Sequence, residues 1–249
     1  MLVLNVKKFS NQTSSTTYYL AMLRFSFLIL ICAACSSKPQ INIAKANQSG
    51  FSYLALGDSY TIGESVAETD RWCVQLATLL SKEKIMTATP DIIAKTGWTT
   101  AELNDGIAAA KNGARYDVVS LLIGVNNQYR GQSLERYRTE FKALLQTSIK
   151  FAKGRSDRVF VLSTPDWGVS PFANGRDTAK IGREIDAFNA VAREESERAM
   201  VVFVDITPQS RLGRGDASMI AKDGLHFSGK MYQLWAGAAL PIVIKLLEK

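Results

Sequence analysis

Five short apolar runs punctuate the chain: Phe51–Leu56, Ile92–Ala94, Val118–Ile123, Arg158–Ser163 and Met200–Val204. They are rich in aliphatic, β-branched and aromatic residues, as buried strands are. Between them, stretches near 71–84, 100–112, 133–153, 178–198 and 229–248 carry helical patterning. In the first of these, Trp72, Leu76, Leu79 and Leu80 recur at helical spacing and predict a stripe that faces the core. Strands alternating with helices predict a three-layer α/β/α domain over residues 51–249, with a central, mostly parallel five-stranded sheet. A domain of about 200 residues buries a sizeable core without disulfides. No internal repeat or low-complexity tract interrupts the pattern.

Upstream of the first strand the pattern changes. Phe25–Cys35 is an apolar stretch preceded by Arg24, as in a secretory signal, and it is too short for a comfortable membrane span. Ala33-Ala34-Cys35-Ser36 resembles a bacterial lipobox, with Cys32 where an aliphatic residue is usual. The expectation is a lipoprotein-type signal peptide over residues 1–35 and lipidation at Cys35. Residues 36–50 then form a flexible polar tether to the membrane. Met22-Leu-Arg24 makes a compact start for such a signal, which places the true initiator at Met22. Localisation follows as the bacterial cell envelope, lipid-anchored; plain signal-peptidase cleavage gives a soluble periplasmic or secreted protein instead.

Composition adds little to this picture. The formal charge is +7, but Lys7, Lys8 and Arg24 lie in the leader, where no acid offsets them. The remainder is modestly basic, which gives no footprint for a nucleic-acid partner. Arg130, Arg136 and Arg138 read as a solvated face, and attraction to anionic head groups is the alternative. Beyond Cys35 only Cys73 remains, so no disulfide forms within the domain, and it reads as a small buried apolar residue.

Candidate chemistry begins with the only histidine, His226, in Asp223-Gly-Leu-His226. A serine hydroxyl needs an imidazole to take its proton, so any Ser-His mechanism must use this residue. Asp223, three positions earlier, is spaced to hold one ring nitrogen while the other faces the serine. Gly57-Asp58-Ser59 follows the first strand, where ligands of open α/β sheets collect. Gly97 lies past the second strand, ahead of a capping box made by Thr99 and Glu102, and offers an N–H to an anion. Asn126, past the third, carries a neutral amide donor of the kind that stabilises an oxyanion. Each block alone also reads as a cap or a turn.

Taken in order, the four blocks resemble the GDSL, or SGNH, hydrolase family of esterases and lipases across residues 51–230. The resemblance implies a flavodoxin-like sheet and a serine esterase that works through an acyl-enzyme. It assigns Ser59 as nucleophile, His226 as base and Asp223 as its orienting partner. The oxyanion hole is implied to be the N–H groups of Ser59 and Gly97 with the Asn126 amide. One position departs: Asn127 stands where this family usually has aspartate, which puts the support of that loop in question.

Trp98, Asp166, Trp167 and Phe172 are candidates for substrate binding on the same rim. The rings either wall an acyl pocket, stack on a sugar, or pack the loop onto the domain. Asp166 either bonds a substrate hydroxyl or starts a turn after Pro165. The expected substrate is a short- or medium-chain acyl ester, lysophospholipids included, borne by a small molecule or a glycan. A carbohydrate O-deacetylase and a non-catalytic envelope lipoprotein that binds glycans or acyl groups are the alternatives. No cofactor and no metal are expected, since one histidine leaves no pair for zinc and no phosphate loop occurs. The oligomeric state is left open.

Overall fold

The computed structural model describes residues 41–42 and 50–248. Its six strands are β1 (Ile41–Asn42), β2 (Tyr53–Gly57), β3 (Asp91–Ala94), β4 (Val118–Leu122), β5 (Val159–Leu162) and β6 (Val202–Val204). They form one sheet in the order β1-β3-β2-β4-β5-β6. The five strands expected from the apolar runs are all parallel. A further edge comes from the segment expected to be a flexible tether. Ile41 and Asn42 pair antiparallel with Ile93 and Ile92 of β3. The expected signal peptide, Cys35 and Met22 lie outside the described residues, as does most of the expected tether.

Parallel strands are buried on both faces, and the side chains of this sheet divide accordingly. In β2, Tyr53 and Ala55 join one core while Leu54 and Leu56 join the other. The same alternation runs through Phe160 and Leu162 against Val159 and Val161 in β5. The first core is closed by α2 (Trp72–Lys82) and α8 (Gly229–Leu247), through Trp72, Leu76, Trp235 and Val243. The second is closed by α3 (Thr100–Ala110), α5 (Leu134–Phe151) and the later turns of α6 (Thr178–Arg198). These five helices sit where the periodicity puts them. Three short ones, α1 (Ser59–Ile62), α4 (Val125–Tyr129) and α7 (Thr207–Arg211), span four or five residues and are too brief to show a period. Among the described residues no helix is long and apolar enough to cross a membrane, and no group of side chains is arranged to hold a metal ion.

Candidate active site

Chain order sends β2 to β3 on one side and β3 across to β4 on the other, so the carboxyl end of β2 faces the crevice where the crossovers diverge. Gly57 ends that strand, and a Cβ there would meet Thr61 Oγ1 at 2.2 Å and the Leu122 carbonyl at 2.5 Å. Only glycine passes so close. Asp58 then caps α1, its Oδ1 accepting from the Tyr60 N–H at 3.0 Å, and Ser59 opens the helix. Asp58 is fully buried and its Oδ2 has no hydrogen-bond partner. Burial pushes its pKa up to about 7, against the smaller opposing pull of the Tyr60 N–H.

Asp223 and His226 meet within one turn, in which Gly224 takes a φ of +73°. Asp223 Oδ1 accepts the backbone N–H groups of Leu225 and His226, each at 2.9 Å. Its Oδ2 lies 2.6 Å from His226 Nδ1. An ionised carboxylate only accepts, so Nδ1 carries the proton and Nε2 is left as the base. Burial alone would raise the Asp223 pKa; the donors from Ser65, His226 and Leu225 outweigh it and hold the carboxyl well below the usual range. His226 is almost buried and lies edge-on to Tyr60, ring centroids 5.6 Å apart.

The opposite wall comes from the ends of β3 and β4. Gly97 has a φ of +84° in a turn closed by the Trp98 N–H on the Lys95 carbonyl at 3.2 Å. Its carbonyl accepts from Arg130 Nη2 at 2.5 Å, which turns that oxygen toward the arginine. Asn126 spends one Nδ2 proton on the Trp98 carbonyl at 2.9 Å, so the other remains to donate. Asn127 answers the question its departure raised. Its Oδ1 accepts the Thr100 N–H at 3.1 Å, while Nδ2 donates to Thr100 Oγ1 at 2.6 Å and Gln132 Oε1 at 2.8 Å. The amide uses donors and acceptor alike, inside a fully buried site.

Ser59, Gly97, Asn126 and His226 line one cavity of about 180 Å³. Val125, Tyr129, Trp167, Phe172 and Leu225 supply its apolar surface. Trp167 is fixed by its indole N–H on Gln128 Oε1 at 2.8 Å. Tyr129, Trp167 and Phe172 pack against one another, and the Arg176 guanidinium lies over all three rings at 4.9 to 5.8 Å.

Two of the expected substrate contacts do not line this cavity. The Trp98 ring lies over Gly106 of α3, where an added Cβ would sit 2.1 Å from it. Asp166 is buried, accepts the Gly168 N–H at 2.9 Å and pairs with Arg211 Nε at 3.0 Å. It starts a turn after Pro165 and braces it, as one of the two sequence readings had it. Conversely, Tyr129 and Ser65 carried no local signal. Tyr129 was one aromatic in a polar stretch, and Ser65 meets its partner, Asp223, 158 residues away.

The profile of the GDSL-like Lipase/Acylhydrolase family matches residues 55–234. No curated protein matches the chain. Among solved structures, TesA superposes with a TM-score of 0.62 at 18% identity, over 79% of this chain and 99% of its own. Axe2, an acetylxylan esterase from Geobacillus stearothermophilus, gives 0.59 at 18%, over 79% and 95%. The psychrotrophic esterase EstA from Pseudoalteromonas sp., inhibited by monoethylphosphonate, gives 0.60 at 16%, over 80% and 99%.

Proposed function

Because the chain belongs to the GDSL-like lipase/acylhydrolase family, we propose that it is a serine esterase that cleaves short acyl esters through an acyl-enzyme. The observation that carries this reading is the shared cavity. A hydroxyl, an imidazole and an amide donor line it, and the imidazole is already bound to a carboxylate. Ser59 attacks the ester carbonyl while His226 Nε2 takes its proton, and Asp223 favours the imidazolium that forms. Charge developing on the carbonyl oxygen is met by the N–H groups of Ser59 and Gly97 and by the second Asn126 amide proton. His226 then gives its proton to the leaving alcohol, and water repeats the sequence to release the acid.

The cavity size supports the short acyl group. About 180 Å³ with apolar walls is below the roughly 300–1,000 Å³ of pockets for drug-sized ligands. A long alkyl chain would outgrow a space walled by Tyr129 and Phe172. A second reading, removal of acetyl groups from a carbohydrate, is favoured by those rings, which are 48% and 39% exposed. They offer stacking faces to a sugar. It agrees with Axe2, whose name gives acetylxylan as its substrate. The lipobox-like Ala33-Ala34-Cys35 supports a lipid-anchored protein of the cell envelope.

Turnover of p-nitrophenyl esters from acetate to palmitate, with Ser59→Ala and His226→Ala alongside, tests the proposal. We expect an optimum at acetate to butyrate and losses of ~10⁴-fold or more in kcat for either variant. Acetylated xylo-oligosaccharide turned over faster than p-nitrophenyl acetate would favour the carbohydrate reading. No turnover, and no labelling of Ser59 by a fluorophosphonate, would leave a binding protein on this fold.

A further inference from the structure

We infer that Ser65 is a positioning residue of the proposed hydrolytic site, holding the Asp223 carboxylate so that His226 stays aimed; this rests on the esterase reading above. Ser65 Oγ donates to Asp223 Oδ2 at 2.6 Å, the same oxygen that takes the His226 Nδ1 proton. With two backbone N–H groups on Oδ1, the carboxylate then has four donors, which matches its roughly four lone-pair sites. Without Ser65, Oδ2 is held by the imidazole alone, and the imidazole is the group it has to hold.

The backbone at Ser65 points the same way. Ser65 has a φ of +65°, in the left-handed region that non-glycine residues seldom enter. The other described non-glycine residues with positive φ, Lys84, Lys111, Lys153 and Met200, each follow the end of a long helix. Left-handed residues at such ends are the ordinary way to stop a helix. Ser65 has no such reason, because Gly63 already closes α1 in that conformation. It lies instead in a turn closed by the Val66 N–H on the Gly63 carbonyl at 3.2 Å, third of four residues, where glycine is the natural choice. A serine there accepts the backbone cost and gains a hydroxyl.

The preceding residue extends the argument. Glu64 accepts a hydrogen bond from the Thr96 hydroxyl, next to Gly97. Glu64 and Ser65 therefore tie the turn after the nucleophile to both other walls of the cavity. The Ser65 contact lies at an exposed rim, where water competes for the same carboxylate oxygen. A covalently tethered hydroxyl wins that competition only if the turn holds its shape.

Glycine at this position separates positioning from folding. Ser65→Gly removes the hydroxyl and relieves the backbone, whereas Ser65→Ala removes the hydroxyl and keeps the strain. We expect both full-length variants to lose kcat by about tenfold on p-nitrophenyl acetate with KM within about twofold, as misalignment does. Ser65→Gly should unfold at a temperature no lower than the parent, and Ser65→Ala at a lower one than Ser65→Gly. His226 is the only histidine, so its Nδ1 proton gives an unambiguous NMR signal; in both variants it should broaden through faster exchange with water. Parental kcat and an unchanged Nδ1 signal in Ser65→Gly would overturn the assignment. So would kcat losses that simply follow the thermal midpoints. Failure of the esterase reading looks different: the parent itself would leave a fluorophosphonate unreacted, while the Nδ1 comparison still reports whether Ser65 acts on His226.

Discussion

On one side of the cavity, Asp223 and His226 meet inside a four-residue turn whose carboxylate is partly open to solvent. On the other, Asn126 reaches 28 residues back to the Trp98 carbonyl, and Asn127 beside it is buried in a network with Thr100 and Gln132. The proton-handling side is thus local, with its carboxylate at the rim, and the charge-stabilising side is long-range, braced from the interior by Asn127. The first can be assembled by a short stretch of chain but needs an outside hand, Ser65, to stay aligned. The second is aligned by hydrogen bonds that join Trp98 and the start of α3 to Asn126 and Asn127.

On the charge-stabilising side the largest effect should be catalytic rather than structural. Asn126→Ala removes the amide donor and is expected to lower kcat on p-nitrophenyl acetate by about 10²–10³-fold. Its thermal midpoint should stay near that of the parent, because the hydrogen bond lost to the Trp98 carbonyl is only partly buried. A loss under about threefold would mean that the backbone N–H groups hold the oxyanion without it.

Next comes a pH effect centred behind the nucleophile. Asp58 titrates at about 7 when folded, against 3.8 for the unperturbed group, because burial penalises its charge. Between those values the folded chain binds the extra proton. Its contribution to stability is therefore complete below about pH 4 and is lost as pH rises through 7. Urea unfolding at pH 4.5 and pH 8 should show this loss, on the order of a few kcal/mol, and Asp58→Asn should flatten it. A parent whose Asp58 contribution is level across that range would place a donor on the orphaned Oδ2.

The smallest change tests the charge-stabilising side from its buried support. Asn127→Asp restores the acid that this family usually carries, but in this chain the new oxygen would face Thr100 Oγ1 and Gln132 Oε1. Thr100 already gives its hydroxyl proton to Glu140. We expect a loss of about 1–3 kcal/mol in stability, with kcat lowered less than in Asn126→Ala. Unchanged stability would show that Gln132 turns its amide round and absorbs the substitution.

The same contrast decides what the sequence disclosed. Strands β2 to β6 were legible because buried parallel strands are continuous apolar runs, and the Thr99–Glu102 capping box marks the start of α3 as expected. Asp223 and His226 were legible because their partnership is three residues long. The edge strand β1 was not, since two residues carry no pattern and its neighbour β3 supplies the reason to pair. Trp98 was left open between substrate and packing, because an aromatic beside a site glycine points into the cavity or away from it with equal ease. The absence of a side chain at Gly106 decided the direction. Asp166 was drawn away from substrate by Arg211, 45 residues along. What local spacing encodes was readable; what distant partners decide was not.

Cys73 gives the fold a built-in timer. It lies on α2, has no solvent exposure, and burial pushes its thiol up to about 12. Thiol reagents react with thiolate, so in the closed protein they meet neither the charge nor the atom. Alkylation at this position is then a count of the moments when the core around α2 opens. Labelling faster than global unfolding would report opening of the wall behind Ser59, read without substrate and without turnover.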